Sequence, residues 1–177
     1  MLELSKIGVI VQARLSSNRF PRKVLAKLEN KEVLLWTLEA CRKMDLPVIV
    51  AIPKGEINDE LETWCIEKGY EVYRGKEYDV LDRFYQAAKL HKLDIIIRVC
   101  GENPMLETRD IQDNLNKFLS EKRFVYGNGS WVFNFAMLEY AWKNITDAET
   151  REHVVRAFMN TIDYHEDLVR IESGKIF

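Results

Sequence analysis

"IGVIVQARLSSNRFPRKVL", residues 7 to 25, begins as a β-branched apolar run and breaks after Gln12 into a polar loop carrying Arg14, Arg19, Arg22 and Lys23 without one acidic side chain. A short, nearly continuous apolar run of this kind is the pattern of a strand covered on both faces. "PVIVAI" (47 to 52) and "DIIIRV" (94 to 99) repeat it. Between the first two lies "VLLWTLEACRK" (33 to 43), in which Val33, Leu34, Leu38 and Cys41 recur at helical spacing. Strand and helix therefore alternate from the start, the βαβ signature.

The alternation continues. "INDELETWCIEKG" (57 to 69) predicts a helix with Asn58 or Asp59 at its cap and Gly69 as its stop, followed by a short strand in "YEVYR". "YDVLDRFYQAAKLH" (78 to 91) predicts another, with Val80, Leu81, Phe84, Ala87, Ala88 and His91 on its apolar face and Asp82, Arg83 and Gln86 elsewhere. "TRDIQDNLNKFLSE" (108 to 121) repeats the pattern through Ile111, Leu115, Phe118 and Leu119, from a threonine cap. Helices that regularly separate buried strands predict an α/β fold: a mainly parallel sheet, right-handed crossovers and helices on both faces. "FVYGNGSWVF" (124 to 133) predicts two short strands around the Gly127 to Gly129 turn. Residues 135 to 161 read as one or two helices, and 162 to 177 as one strand.

A chain of 177 residues, 47% of them hydrophobic, can bury the core of a single domain, here residues 1 to 177. Its formal charge of −2 excludes a generally basic, nucleic-acid-coating surface, so the charge of the basic loop is local. Cys41, Cys65 and Cys100 show neither C-x-x-C pairing nor an even count, against a disulfide framework or zinc knuckle and suited to a reducing cytoplasm. The first apolar run is too short for a membrane span and is not a secretory signal; an intracellular protein without a membrane anchor is expected.

In open α/β sheets, ligands collect at the carboxyl ends of the strands, and the loop leaving the first strand is the usual phosphate site. The basic loop lacks the glycines of a dinucleotide fingerprint and the G-K-[ST] ending of a P-loop. Ser16, Ser17 and Asn18 offer hydroxyl, amide and backbone donors, Arg14, Arg19 and Lys23 supply charge, and Pro21 stiffens the turn. That chemistry fits a triphosphate. On these features alone a solvated basic loop is an equal reading.

Four stretches carry a family resemblance. "IVQARLSSNRFPRKVL" resembles the Q-A-R-x-G-S-T-R-L-P-G-K-x-L opening of the spore-coat polysaccharide biosynthesis protein F family, related to the cytidylyltransferases that activate KDO and acylneuraminate sugars. "YEVYRGKEYDVLDRFYQAAK" and "IIRVCGENPMLE" resemble that family's V-x-x-G-x-x-x-D-V-L-D-R-F/Y and V-R-x-T-G-D-x-P-L-I blocks, and "TREHVVRAF" a later R-E-H-V-T element. The resemblance implies a Rossmann-like three-layer α/β/α nucleotidyltransferase fold, a dimer, and transfer of CMP from CTP to an acidic sugar with release of pyrophosphate. Position by position, it implies that Arg14, Ser16, Ser17, Arg19 and Lys23 hold the triphosphate, with Arg19 and Lys23 offsetting charge on the leaving pyrophosphate. The backbone at Gln12 and Ala13 lies near the base, Asp82 and Arg83 contact the nucleotide or brace the loop, and Glu102 faces Mg²⁺.

The sequence also departs from that pattern. Ser16 and Arg22 replace two loop glycines, and "GNGSWVF" places Gly129 and Trp131 where the family's G-L-D-V-E-V-F has acids. "AIPKGE" (51 to 56) alters another loop of the same edge, and no counterpart of the closing V-D-T-P-E-D-L element precedes Phe177. A metal site resting on Glu102 alone is therefore expected unless Glu107, Asp110, Glu139 or Asp147 folds within its reach. Two readings stay open: a Mg²⁺-dependent sugar cytidylyltransferase, and a catalytically impaired relative that binds a nucleotide or sugar nucleotide and acts through a partner. Nucleic-acid binding is disfavoured because only Phe20 interleaves the charges, and a glycosyltransferase because no D-x-D occurs. His153 is read as a packing or interface residue, Glu149, Arg151 and Glu152 as a charged helix face, the four tryptophans as core or subunit contacts, and Cys100 as a small buried hydrophobe.

Overall fold

The computed structural model describes residues 6–17, 19–121 and 123–154. In chain order the elements are β1 (Ile7–Gln12), β2 (Lys27–Leu28), β3 (Lys31–Glu32), α1 (Val33–Arg42), β4 (Val48–Pro53), α2 (Asp59–Glu67), β5 (Glu71–Gly75), α3 (Val80–Leu90), β6 (Ile95–Cys100), α4 (Thr108–Glu121), β7 (Val125–Gly127), β8 (Ser130–Asn134), α5 (Phe135–Asn144) and α6 (Ala148–Glu152). The end of the helical stretch expected to residue 161 and the strand expected in 162 to 177 lie outside the described residues.

Among the described residues the main sheet has six strands in the order β5-β4-β1-β6-β8-β7. β5, β4, β1 and β6 run parallel, while β8 returns antiparallel to β6 and pairs with β7 in a hairpin. The expected turn at residues 127 to 129 closes that hairpin, with Gly129 at φ 81°. Alternation along each strand feeds two separate cores. Val9, Val11, Ile95, Ile97 and Val99 face α1, α2 and α4 through Leu34, Leu38, Leu61, Ile111, Leu115 and Phe118. Ile10, Ile49, Ala51, Ile96 and Phe133 face α3 and α5 through Val80, Leu81, Phe84, Met137 and Leu138. The result is the three-layer α/β/α arrangement the alternation predicts. Thr108 stands as the first residue of α4 rather than outside it, and its hydroxyl donates to the Ala40 carbonyl at 2.9 Å, fastening α4 to α1.

α3 departs most from its sequence pattern. Asp82 is 9% exposed and Arg83 0%, so neither belongs to a solvated face. Residues far downstream cover them. Trp142 Nε1 donates to Asp82 Oδ1 at 2.8 Å, Gln86 Nε2 to the same oxygen at 3.2 Å, and the Trp142 ring stacks on Tyr85 with centroids 4.2 Å apart. Arg151 donates from Nε to Asp79 Oδ1 at 3.0 Å and from Nη1 to the carbonyls of Trp142 and Ile145 at 3.0 and 2.7 Å. It is therefore an internal brace, not one member of a charged face. His153 is exposed rather than packed, and Cys100 is half-buried. Cys41 and Cys65 are buried, and that burial pushes both thiols up to about 12, so neither forms a thiolate near neutrality.

Burial alone would raise the Asp82 carboxyl. The hydrogen bonds from Trp142 and Gln86 and the charges of Lys76 and Arg151 outweigh it and hold the group below its ordinary value of 3.8. A lowered folded-state pKa stabilises the native protein above the unfolded value, and that contribution disappears as pH falls through the folded one. Asp82→Asn is therefore expected to lower unfolding free energy by about 1 kcal/mol at neutral pH, with a deficit that shrinks on acidification below 3.8. Urea unfolding of both proteins from neutral to acid pH measures it; a deficit unchanged throughout contradicts the assignment. Among the described residues, no helix is long and apolar enough to cross a membrane.

Candidate functional site

From β1 the chain steps outward to β4 and β5, then returns to β6 on β1's other side. The strand order reverses there, which opens a crevice at the carboxyl ends of β1 and β6. Gln12 pairs with Cys100 at those ends, and two loops, residues 13 to 22 and 101 to 107, leave side by side. Gly101 holds them together: its N–H donates to the Gln12 carbonyl at 2.8 Å. The absence of a side chain makes that approach possible, since a Cβ there would lie 2.7 Å from Leu34 Cδ1, 3.0 Å from the Gln12 carbonyl oxygen and 3.3 Å from Ala13 Cβ. Glu102, one residue on, is thereby set against the basic loop.

The basic loop is a built structure. Leu15, 2% exposed, anchors it in the core, and its carbonyl accepts from the N–H groups of Ser17 and Arg22 at 2.9 and 3.1 Å. The Leu15 N–H donates to Asn58 Oδ1 at 3.0 Å. Asn58 thus stands at the N-cap position of α2 but gives its side-chain oxygen to the loop, with no side-chain cap bond to its own helix. Ser16 Oγ donates to Glu77 Oε1 at 2.7 Å, tying the loop to the segment before α3, and Ala13 N–H donates to the Ala51 carbonyl at 3.3 Å. Arg22 adopts φ 60° and ψ 20°, the left-handed region that glycine enters freely, so an arginine holds this turn at the position where the family pattern has a glycine. Its guanidinium turns outward to Glu60.

The loop's cations fall into distinct settings. Lys23 and Glu102 form an ion pair, each side chain about one-third exposed, which directly joins the two loops. Arg19 is exposed and has no ion-pair partner among the described residues. Arg14 is half-buried, 3.9 Å from Glu152. Behind it Arg83 is fully buried; Nη1 donates to the Lys76 carbonyl at 3.0 Å, while Nε and Nη2 have no hydrogen-bond partner among the described residues. Burial, reinforced by the nearby charge of Arg14 and opposed by Glu77 and Asp79, lowers Arg83 to about 10, so it remains cationic at neutral pH. Arg14 and Lys23 thus carry part-exposed positive charge on the loop, with Arg83 buried behind Arg14.

Three participants were not evident from the sequence: Asn58 as a loop anchor, Glu77 as the Ser16 acceptor, and Arg98. The last is the most informative. It projects from β6 on the α3 face, donates from Nη2 to Gln12 Oε1 at 3.0 Å, and lies over the Trp131 ring at 4.5 Å and the Phe84 ring at 5.8 Å. An arginine inside an otherwise apolar six-residue strand was the available signal. Of the carboxylates considered as companions to Glu102, Asp110 accepts from Asn128 at 2.9 Å, Glu139 binds Tyr85 and Lys143 at 3.1 Å each, Asp147 caps α6, and Glu107 is exposed. Among the described residues no group of three or more His, Cys, Asp or Glu side chains is arranged to hold a metal ion.

Comparison with known proteins agrees with this architecture. An uncharacterized protein of Methanocaldococcus jannaschii is 41% identical over 159 residues, covering 84% of this chain and 65% of its own length. The spore coat polysaccharide biosynthesis protein SpsF of Bacillus subtilis is 34% identical over 110 residues, 59% of this chain and 46% of its own. The chain spans less than two thirds of either relative. A solved cytidylyltransferase from Leptospira borgpetersenii serovar Hardjo-bovis superposes with a TM-score of 0.83 at 25% identity, covering 91% of this chain and 74% of that one. The cytidylyltransferase family model matches residues 8–165, from the first strand past α6, and the chain belongs to that family.

Proposed function

We propose that the protein transfers CMP from CTP to an acidic sugar. The observation that carries this reading is the Lys23 to Glu102 ion pair, which brings the basic loop and the end of β6 together at the switch point of the sheet. Arg14, Ser16, Ser17, Arg19 and Lys23 would hold the triphosphate, with Arg83 as a fixed positive charge behind Arg14 and Asp82 as a brace of the helix that carries it. The Gln12 carbonyl and the Ala13 N–H, committed to Gly101 and Ala51, fix the start of the loop, and the backbone there would lie near the base. In the reaction, the sugar hydroxyl oxygen bonds to the α-phosphorus, the bond from that phosphorus to the α,β-bridging oxygen breaks, and its electron pair leaves on pyrophosphate. The hydroxyl proton passes to solvent. Arg19 and Lys23 offset the charge that develops on the leaving group.

Mg²⁺ fits this setting, because it takes one or two carboxylates together with phosphate oxygens and water, and Glu102 is one carboxylate beside the loop. When bound, that ion supplies polarisation of the phosphoryl group. Lys23 releases Glu102 as it turns to the phosphates, so nucleotide and metal sites open together.

Calorimetric titration with CTP, with and without Mg²⁺, tests the nucleotide site, and pyrophosphate release across acidic sugars tests the transfer. Saturable, Mg²⁺-sensitive binding followed by sugar-dependent release is expected; absence of CTP binding overturns the proposal. The missing carboxylate cluster among the described residues favours one other reading, a nucleotide-binding relative that does not catalyse transfer. It predicts CTP binding without pyrophosphate release from any acidic sugar.

A further inference from the structure

Arg98 stands out among the half-buried arginines. Arg74 is neutralised by Asp59 and Glu62 at 2.7 Å each, and Arg151 by Asp79 at 3.0 Å. Among the described residues Arg98 has no carboxylate within ion-pair distance, although its Nε is buried and without a hydrogen-bond partner. Its neighbours immobilise it without discharging it. Trp131, its direct partner across the β6 to β8 ladder, lies 4.5 Å away against one face of the guanidinium, and Gln12 Oε1 holds one edge at 3.0 Å. Gln12 and Arg98 share a sheet face because Ile10 is the register partner of Arg98 and Gln12 lies two residues further along β1. The pair therefore sits at the crevice, on the opposite side of the sheet edge from the α1 and α2 core.

An uncompensated cation held in an apolar setting is costly, because the charge has given up water without gaining a partner. Such a group is retained at a site when the compensating charge comes from outside. The chemistry of the missing partner follows from the geometry. A planar guanidinium stacked on an indole and fixed at one edge presents donors in one plane, the match of a carboxylate. With Oε1 committed to Arg98, the Gln12 side-chain NH₂ remains as an additional donor beside it. The triphosphate already has Arg14, Arg19 and Lys23 on the loop. We propose that Arg98, held by Gln12 and Trp131, receives the carboxylate of the acceptor sugar and so selects acidic over neutral sugars. This rests on the transfer reading above and names the substrate feature that the site recognises.

The test uses 3-deoxy-manno-octulosonate and N-acetylneuraminate, each beside its uncharged carboxamide, titrated into the CMP-loaded protein. Tryptophan fluorescence reports the binding, because Trp131 touches Arg98, and calorimetry confirms it. The wild-type protein is expected to prefer at least one acid over its carboxamide by about ten- to a hundred-fold, the span of a charge-assisted hydrogen bond. Arg98→Met should abolish the preference while CTP affinity stays within about two-fold of wild type, and Arg98→Lys should restore part of it. Equal binding of acid and carboxamide by the wild-type protein, or no binding of either acid while CTP binds, overturns the assignment without any variant. A preference that survives in Arg98→Met, or a ten-fold loss of CTP affinity in its place, overturns it as well and moves Arg98 to the nucleotide. Failure of CTP itself to bind sinks the transfer reading instead, so the two failures are distinct.

Discussion

Lys23→Ala is expected to weaken CTP binding by about ten- to a hundred-fold while leaving the protein folded, because a charge-assisted contact to phosphate is worth about 1.5–3 kcal/mol. The loss should fall on binding and not on stability. The Lys23 to Glu102 pair is about one-third exposed on both sides, and ion pairs of that kind contribute only about 0–1 kcal/mol to folding. Glu102→Gln should act with the opposite sign when Mg²⁺ is absent: it removes a like charge from the path of the triphosphate and frees Lys23, so CTP binds a few-fold tighter. With Mg²⁺ present, the same variant should lose the metal's effect. The double variant should be non-additive, since each single change alters the state of the other side chain. Calorimetry on the four proteins measures all of this. CTP affinity within two-fold of wild type in Lys23→Ala would remove the loop from the site.

Periodicity made most of the scaffold legible, because each of β1, β4, β6, α1 and α4 buries a face against elements whose own pattern states the same demand. α3 misleads for a physical reason. Its second face is covered by Trp142 and by Arg151, which arrive some sixty and seventy residues later, as the separations of 60 and 72 in the hydrogen-bond partners show. A helical wheel drawn on residues 78 to 91 carries no trace of that cover, so Asp82 and Arg83 look solvated when they are internal. The candidate site divides in the same way. Cationic and hydroxyl side chains concentrated after a first strand announce the loop, and the Glu102 turn follows from its place after the third apolar run. Asn58, Glu77 and Arg98 act on the loop and strand ends from distances of 43, 61 and 86 residues, and only the folded sheet brings them there.

Gly101→Ala probes whether that convergence depends on one missing methyl group. The new Cβ would meet Leu34 Cδ1 at 2.7 Å, which a rotation of the leucine can relieve, but also the Gln12 carbonyl oxygen at 3.0 Å, which cannot retreat without loosening the end of β1 from β6. The same carbonyl accepts the Gly101 N–H at 2.8 Å, so relief of the clash comes at the expense of that bond. Overpacking of this kind costs about 1–3 kcal/mol. The displacement would fall on Gln12 and Ala13, where the basic loop begins, and on Glu102, which follows. Gly101→Ala is therefore expected to lower stability by about 1–3 kcal/mol in urea unfolding and to weaken CTP binding as well. Gly127→Ala provides the comparison: its Cβ would approach only the Asn114 side chain, at 3.5 Å, an ordinary contact in the β7 to β8 hairpin. That variant should stay within about 0.5 kcal/mol of wild type and keep its CTP affinity. A Gly101→Ala protein as stable as Gly127→Ala would mean that the two strand ends tolerate separation, and the rigid junction between the loop and Glu102 would lose its structural basis.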